Sequence, residues 1–216
     1  MTLSQNWQVS PNDLFNMGPI VPVLVIKHVE DALPIAEALL AADIKVLEVT
    51  LRTPAAIDVI RTIAEALPEA VVGAGTVTNR ELLQQSADAG AKFAISPGLT
   101  KDLLQAGKEG DIALIPGISS ISELMDGIDE GYDHFKFFPA EASGGVKAIQ
   151  SIGGPFPDIR FCPTGGINLA NVKNYLALKN VVCCGGSWLV SDDIVADKDW
   201  GRITQLAKEA MLHINS

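Results

Sequence analysis

The amino-acid sequence predicts an α/β protein whose parallel strands close into a (β/α)8 TIM barrel. Short apolar runs alternate with stretches of helical periodicity, giving eight strand–helix units along 216 residues. Glycine, proline and small polar residues recur after the third, fourth, fifth, seventh and eighth strands. In a barrel these strand ends meet on one face, where active sites lie. A doubly wound open sheet is the alternative, but it normally has fewer strands and one glycine-rich turn after its first strand.

The elements follow from apolar spacing and from residues that begin or end them. Strands are predicted over 21–26, 46–51, 71–76, 93–96, 112–115, 134–138, 159–162 and 181–184. Helices are predicted over 12–17, 31–42, 54–67, 79–90, 100–108, 120–129, 145–152, 169–178 and 200–213. The predicted helix caps are Ser10, Asp31, Asn79, Thr100 and either Ser119 or Ser120. We expect residues 1–216 to form one domain, a barrel preceded by a short N-terminal helix.

The composition indicates how large the core can be and which partners are not expected. Apolar residues make up 48% of the chain and charged residues 19%, which is enough for a large core. The net charge is -10 and basic residues do not cluster, so nucleic acid and anionic membranes are not expected partners. An anionic small substrate remains compatible, because a site can be locally positive on a negative protein.

The expected location is the cytoplasm. The segment 1–10 is polar and lacks the apolar core of a secretion signal, and no apolar run is long enough to span a membrane. Cys162, Cys183 and Cys184 are an odd number without a disulfide spacing, which predicts reduced, buried thiols. The histidines show no ligand spacing around these cysteines, so we expect no metal. We expect His134 to face the core, and His28 and His213 to lie on the surface.

Lys136 is the first candidate for chemistry. It lies among three phenylalanines in an apolar run that ends at Pro139. Because side chains alternate along a strand, Lys136 shares a face with His134 and Phe138. Burial disfavours the ammonium form, and a neutral amine can attack a carbonyl to form a Schiff base. The alternative is a lysine whose stem is buried and whose amine reaches water at the strand end.

Glu48 is the second candidate, because it places a carboxylate inside the apolar run 46–49. A buried carboxylate without a partner is costly, so it requires an ion pair or a catalytic task. An ion pair that only fixes the core is one interpretation. With Lys136 on another strand of the same barrel, a general base beside a reactive amine is favoured.

Arg52 and Thr76 are candidates for binding a substrate carboxylate. Arg52 shares a strand face with Glu48 by the period of two and lies just past the strand end. Its guanidinium suits a carboxylate, although an exposed loop arginine is the alternative. Thr76 ends the third strand and can add a hydroxyl and an amide N–H, or it can simply cap the following turn.

The loops after the seventh and eighth strands indicate a phosphate site. Gly165, Gly166, Gly186 and Ser187 expose amide N–H groups at a position where barrels frequently bind phosphate. The alternative is that these glycines only permit tight turns. Phe138 and Pro97 are expected as pocket walls, and Trp188 is expected to pack near the phosphate loop.

Six ordered motifs resemble the bacterial 2-keto-3-deoxy-6-phosphogluconate (KDPG) aldolase family, which also includes 4-hydroxy-2-oxoglutarate (KHG) aldolases. They cover nearly the whole chain and are Glu48-Val49-Thr50-Leu51-Arg52-Thr53, Gly73-Ala74-Gly75-Thr76-Val77, Ile95-Ser96-Pro97-Gly98, Leu114-Ile115-Pro116-Gly117, Phe135-Lys136-Phe137-Phe138-Pro139-Ala140-Glu141 and Cys162-Pro163-Thr164-Gly165-Gly166-Ile167.

The resemblance implies a class I aldolase that works as a homotrimer without a metal or other cofactor. It implies cleavage of KDPG to pyruvate and glyceraldehyde 3-phosphate in the Entner–Doudoroff pathway, and cleavage of KHG to pyruvate and glyoxylate. By motif, Lys136 is similar to the Schiff-base lysine and Glu48 to the acid/base carboxylate. The implied binding residues are Arg52 and Thr76 for the pyruvate carboxylate, Thr164 and Phe138 for the pocket, and Gly165, Gly166, Gly186 and Ser187 for the phosphate.

Two other functions fit the same predicted barrel. One is a phosphosugar isomerase or epimerase in which Lys136 acts only by its charge. The other is a phosphate-binding barrel without catalysis. The three polar residues at strand positions, Lys136, Glu48 and Arg52, argue against the second alternative, because burying such groups brings no structural benefit.

Overall fold

The computed structural model describes residues 7–216. We expected no secretion signal because the segment 1–10 is polar. The first part of that segment, residues 1–6, lies outside the described residues. Among residues 7–216, nine parallel strands alternate with helices. The strands are β1 (Ile20–Leu24), β2 (Val46–Thr50), β3 (Val71–Gly75), β4 (Phe93–Ile95), β5 (Ala113–Ile115), β6 (Gly117–Ile118), β7 (His134–Phe137), β8 (Arg160–Pro163) and β9 (Cys184–Gly186).

Ten α-helices and one short 3-10 helix, at Val29–Asp31, occur in the same residues. The α-helices are α1 (Pro11–Asn16), α2 (Ala32–Leu40), α3 (Ala56–Ala66), α4 (Arg80–Asp88), α5 (Lys101–Glu109), α6 (Ile121–Asp129), α7 (Gly145–Ile152), α8 (Val172–Leu176), α9 (Asp192–Ala196) and α10 (Trp200–Asn215). Across residues 7–216, none of these helices has the length and apolar character that a membrane crossing requires.

The strands pair in two curled parallel sheets. One has the order β5-β4-β3-β2-β1-β9 and the other the order β6-β7-β8. Isolated bridges between Phe161 and Val181 and between Thr164 and Gly185 connect the second sheet to the segment that contains β9. The predicted α/β class with parallel strands is confirmed.

The fifth predicted strand, 112–115, corresponds to β5, and a further short strand follows it after Pro116. Proline has no N–H to donate to a strand ladder. Strand β5 pairs with β4, and beyond Pro116 the chain resumes as β6, where Gly117 pairs with Lys136 of β7. The sequence analysis did not predict this strand.

The last strand lies further along the chain than predicted. Only Cys184 of the predicted range 181–184 belongs to β9, which continues through Gly185 and Gly186. Glycine usually weakens a strand, so the sequence analysis ended the strand before Gly185. Here a Cβ at Gly185 would overlap the side chain of Thr164, and one at Gly186 would overlap the ring of Trp188. The two glycines allow bulky neighbours to approach the strand.

Several helix ends differ from the prediction for local reasons. Side-chain caps form at Ser10, Asn79, Thr100 and Ser120. Asp31 is the N-cap residue of α2, as predicted, but its side chain makes no capping hydrogen bond. Helix α3 begins at Ala56 rather than at Pro54. Helix α8 begins only at Val172, and α9 was missed because its five residues bury no side chain.

Alternate strand residues belong to two separate cores, as the period of two requires. Leu47, Ala94 and Leu114 pack in the large core between strands and helices. Neighbouring residues along the strands belong to a smaller inner core. It contains Val21, Val46, Phe93, Ile95, Ala113, Ile115 and Cys162 from strands, and Cys183 directly before β9. Helix α1 adds Leu14 and Phe15 to this inner core. Phe15 also meets the ring of His134 edge-on, with 5.1 Å between the ring centroids.

The histidines and cysteines lie where their sequence contexts predicted. His134 is buried, and His28 and His213 are exposed. The three cysteine thiols are free and buried.

Replacing Phe15 with alanine tests whether α1 completes the inner core. Phe15 is 2% exposed, so Phe15→Ala should lower the free energy of unfolding by about 3–5 kcal/mol. Urea unfolding followed by circular dichroism measures this change. The control is Leu212→Ala at a side chain that is 72% exposed, where a change of less than about 0.5 kcal/mol is expected. Equal small effects would show that α1 does not contribute to the core.

Candidate active site

A buried ion pair joins two strands that are far apart in the sequence. Lys136 lies in β7 and Glu48 in β2, and the lysine Nζ donates to the Glu48 Oε1 at 3.0 Å. The residues are 3% and 1% exposed. The two candidates for chemistry therefore contact each other. A carboxylate in hydrogen-bond contact with an amine has the geometry to exchange protons with it.

Gly75 provides the space for the Glu48 carboxylate. It lies directly beside Thr50 in the register of β2 and β3. A Cβ at Gly75 would overlap the carboxylate oxygen that accepts from Lys136. A side chain at residue 75 is therefore incompatible with the observed ion pair.

Arg52 and Thr76 also contact each other, at the end of the same two strands. The Arg52 Nε donates to the Thr76 Oγ1 at 3.2 Å. Among the described residues this is the only hydrogen bond of the Arg52 side chain, and no carboxylate pairs with it. Its remaining N–H groups are free to bind an anion at this position.

Thr76 has an unusual backbone conformation. Its φ is 61°, in the left-handed region that β-branched residues rarely adopt, at a cost of about 1–3 kcal/mol. The surrounding structure sustains this conformation beside Arg52. Such strain is concentrated at functional sites, so it favours a functional position over a simple turn residue.

A cavity of about 140 Å³ opens at the carboxyl ends of the strands. It is lined by Val23, Val25, Arg52, Phe138, Thr164, Gly165, Gly166, Ile167, Gly185, Gly186 and Ser187. The Lys136 Nζ lies 5.3 Å from the centroid of the Phe138 ring. Phe138 thus connects the buried ion pair to the cavity wall.

The glycine turn after β8 presents polar groups that lack protein partners. Gly165 and Gly166 have φ values of 101° and 78°, which glycine adopts without strain. Within residues 7–216, the amide N–H groups of Gly165, Gly166 and Ser187 form no hydrogen bond. The buried Thr164 Oγ1 also has no partner. These groups line one cavity, so together they can bind an anion with oxygen acceptors.

The structure separates Pro97 from this cavity. Pro97 does not line it but packs against Gly117, where a Cβ would overlap the Pro97 backbone. Sequence reasoning also missed Val23, Val25, Ile167 and Gly185 as lining residues. The valines end the first strand, so the barrel rule that strand ends meet on one face could have identified them. Because their side chains are apolar, they were not recognised as candidates for binding or catalysis.

Cys183 and Cys184 are poor candidates for a nucleophile. The pKa of the Cys183 thiol is raised well above its ordinary value by a hydrogen bond with Cys162 and by burial. Burial likewise raises the pKa of the Cys184 thiol. Since the thiolate is the reactive form, these cysteines are structural. In the described part of the chain, His, Cys, Asp and Glu side chains do not form a group of three or more that could hold a metal ion.

Comparison with known proteins gives a consistent set of relatives. Residues 12–206 match the family model described as KDPG and KHG aldolase. The chain is 66% identical to the 2-dehydro-3-deoxy-phosphogluconate aldolase of Pseudoalteromonas atlantica, with 97% of each chain covered. It is 59% identical to the KHG/KDPG aldolase of Escherichia coli, with 96% of this chain and 97% of that protein covered.

A solved structure is similar over almost the whole fold. It is the KDPG aldolase of Legionella pneumophila, in which pyruvate was captured at low pH as a covalent carbinolamine intermediate. The TM-score is 0.93 and the sequences are 50% identical, with 95% of this chain and 100% of that chain covered.

Proposed function

The chain belongs to the KDPG and KHG aldolase family, and we propose that it is a class I aldolase acting through a Schiff base on Lys136. It cleaves KDPG to pyruvate and glyceraldehyde 3-phosphate, and it also cleaves KHG to pyruvate and glyoxylate. The observation that carries this proposal is the contact of 3.0 Å between the buried Lys136 amine and the Glu48 carboxylate. An amine beside a proton-transfer group is what imine formation needs.

The first half of the reaction builds the imine. The neutral Lys136 amine adds to the C2 ketone of the substrate and gives a carbinolamine. Glu48 takes a proton from the nitrogen and returns one to the departing hydroxyl, which leaves as water. The resulting iminium carries a positive charge next to C3 and can accept an electron pair.

The second half breaks the carbon–carbon bond. A base removes the proton of the C4 hydroxyl, and the electrons of the C3–C4 bond move into the iminium. The aldehyde product leaves, and the enamine that remains gains a proton at C3. Water then hydrolyses the iminium to pyruvate and restores the Lys136 amine. We assign the proton transfers to Glu48, because it is the carboxylate in contact with the lysine.

The two ends of the substrate have separate binding groups. Arg52 and Thr76 hold the carboxylate of the pyruvate half, which orients C2 for attack. The amides of Gly165, Gly166 and Ser187 hold the phosphate, supported by the Ser187 hydroxyl and by Gly186. Phe138 and Thr164 bound the space between these ends.

The proposal extends to the whole molecule. Residues 1–216 form one domain, and the two sheets together form a closed (β/α)8 barrel. The bridges between Phe161 and Val181 and between Thr164 and Gly185 support closure on one side. On the other side, β5 and β6 are consecutive in the chain and separated only by Pro116. By resemblance to the family, the enzyme works as a homotrimer in the cytoplasm, without a cofactor.

Reduction with borohydride in the presence of pyruvate tests the imine directly. Peptide mass mapping should find the added mass on the peptide that contains Lys136 in the wild-type protein. Lys136→Met should remove this adduct and lower KDPG cleavage by at least about a thousandfold, since the covalent step is lost. Circular dichroism should show that the variant remains folded.

Other outcomes of this experiment lead to different conclusions. An adduct on another lysine would move the nucleophile. A folded wild-type protein that forms no adduct would overturn the class I mechanism and favour an isomerase or epimerase.

Replacing Glu48 with glutamine tests its assignment as the proton-transfer group. Glu48→Gln keeps the size of the side chain but cannot take up a proton, so kcat should fall by about a hundredfold or more. Pyruvate binding, measured by calorimetry, should persist because Arg52 and Thr76 are unchanged. An unchanged kcat would assign the proton transfers to another group.

Replacing Ser187 with alanine tests the phosphate end of the site. Ser187→Ala should raise the KM for KDPG by about tenfold, as expected for the loss of one hydrogen bond to a charged group. The KM for KHG, which has no phosphate, should change less than about twofold. Steady-state kinetics with both substrates measures this difference, and equal changes would place the phosphate elsewhere.

A further inference from the structure

The glycine turn that lines the cavity is held from outside by a side chain of the neighbouring loop. Glu141 follows β7, and its amide N–H donates to the Gly165 carbonyl at 3.1 Å. The preceding amide, of Ala140, donates to the Thr164 carbonyl at 2.8 Å. These two hydrogen bonds fix the backbone of the turn on one side.

The Glu141 side chain also packs against the turn. A Cβ at Gly166 would meet the Glu141 Cγ at 2.5 Å and its Cβ at 2.8 Å, so the glutamate stem lies directly on the Gly166 backbone. Glu141 is itself exposed, and an exposed glutamate stem is free to change rotamer unless its carboxylate is held.

Tyr175 holds that carboxylate. Its ring is fully buried in α8, and its hydroxyl donates to the Glu141 Oε1. Burial, together with the hydrogen bond to Glu141, raises the pKa of Tyr175, so the hydroxyl keeps the proton that it donates. A rigid core residue thus fixes an exposed side chain that contacts the turn.

The turn needs such support because of its composition. Two successive glycines have more backbone freedom than any other pair, and ordering them when a ligand binds costs conformational entropy. A loop that is already held in its binding conformation avoids much of this cost. The Asn171 Nδ2 adds a second restraint, donating to the Gly166 carbonyl at 2.9 Å.

We infer that Tyr175 and Glu141 are positioning residues for the phosphate-binding turn Gly165–Gly166 and set the preference for phosphorylated substrates. This inference rests on the proposed function, because it assigns the substrate phosphate to that turn. Neither residue touches the reacting atoms. Their effect should therefore appear in the binding of phosphate and not in the chemistry at Lys136.

The test compares two substrates that differ in the phosphate. Tyr175→Phe keeps the ring in the core and removes only the hydroxyl. The KM for KDPG should rise by about tenfold, the change expected when one hydrogen bond to a charged group no longer holds the turn. The KM for KHG, and kcat for both substrates, should change less than about twofold.

Variants of Glu141 make the test independent of the buried tyrosine. Glu141→Ala removes the stem and the acceptor, so it should raise the KM for KDPG as Tyr175→Phe does. Glu141→Gln keeps the stem and an acceptor oxygen and should restore most of the loss. The matched control is Tyr132→Phe, which removes another buried hydroxyl, one that donates to the Leu104 carbonyl at 2.7 Å. It should not separate the two substrates.

Calorimetric titration with inorganic phosphate separates this inference from the proposed function. Wild type should bind phosphate, and Tyr175→Phe should bind it about tenfold more weakly, whether or not KDPG is cleaved. A wild-type enzyme inactive on KDPG would overturn the proposed function alone. Equal phosphate binding by the two proteins, or equal changes in KM for both substrates, would overturn the assignment of Tyr175 and Glu141.

Discussion

The buried ion pair between Lys136 and Glu48 is the interaction on which the site depends. Burying two charged groups is costly, and removing one partner of such a pair typically destabilises a protein by about 3–5 kcal/mol. Because apolar residues would fill this space at no such cost, the pair indicates a function rather than a contribution to stability. The position of the pair also determines its neighbours. Gly75 must lack a side chain for Glu48 to reach Lys136, and Gly117 lies beside Lys136 in the adjacent strand.

The site combines rigid strands with loops that have different kinds of support. Glu48 and Lys136 lie in strands, and both are buried. Arg52 and Thr76 lie just beyond their strands, and the left-handed backbone of Thr76 is maintained by surrounding structure. The glycine turn has the least intrinsic order. It is restrained through hydrogen bonds to its carbonyls, which leaves its amides available. The groups at the two ends of the cavity are thus preorganised in different ways.

The sequence predicted the α/β class, most elements and seven of the eleven residues that line the cavity, because these depend on local patterns. Period-two alternation predicted the face of Lys136, and helix caps such as Asn79 and Ser120 were recognisable. The errors have physical causes that local patterns do not reveal. Gly185 and Gly186 resemble a turn, but they belong to a strand. A side chain at either position would overlap Thr164 or Trp188, which is why glycine occurs there. Asp31 has the residue type of a cap without making its hydrogen bond. The support of Glu141 by Tyr175 joins residues 34 positions apart, so only the folded chain shows it.

The separation of Lys136 and Glu48 along the chain has a consequence for biosynthesis. They are 88 residues apart, and β7 and β2 must both be in place before they meet. On the ribosome, Glu48 emerges first, and the strands between β2 and β7 are synthesised before it can meet Lys136. Before β2 and β7 come together, neither residue has the other as its ion-pair partner. A nascent chain or a proteolytic fragment that lacks β2 or β7 therefore cannot form the ion pair, which exists only in the folded arrangement of both strands.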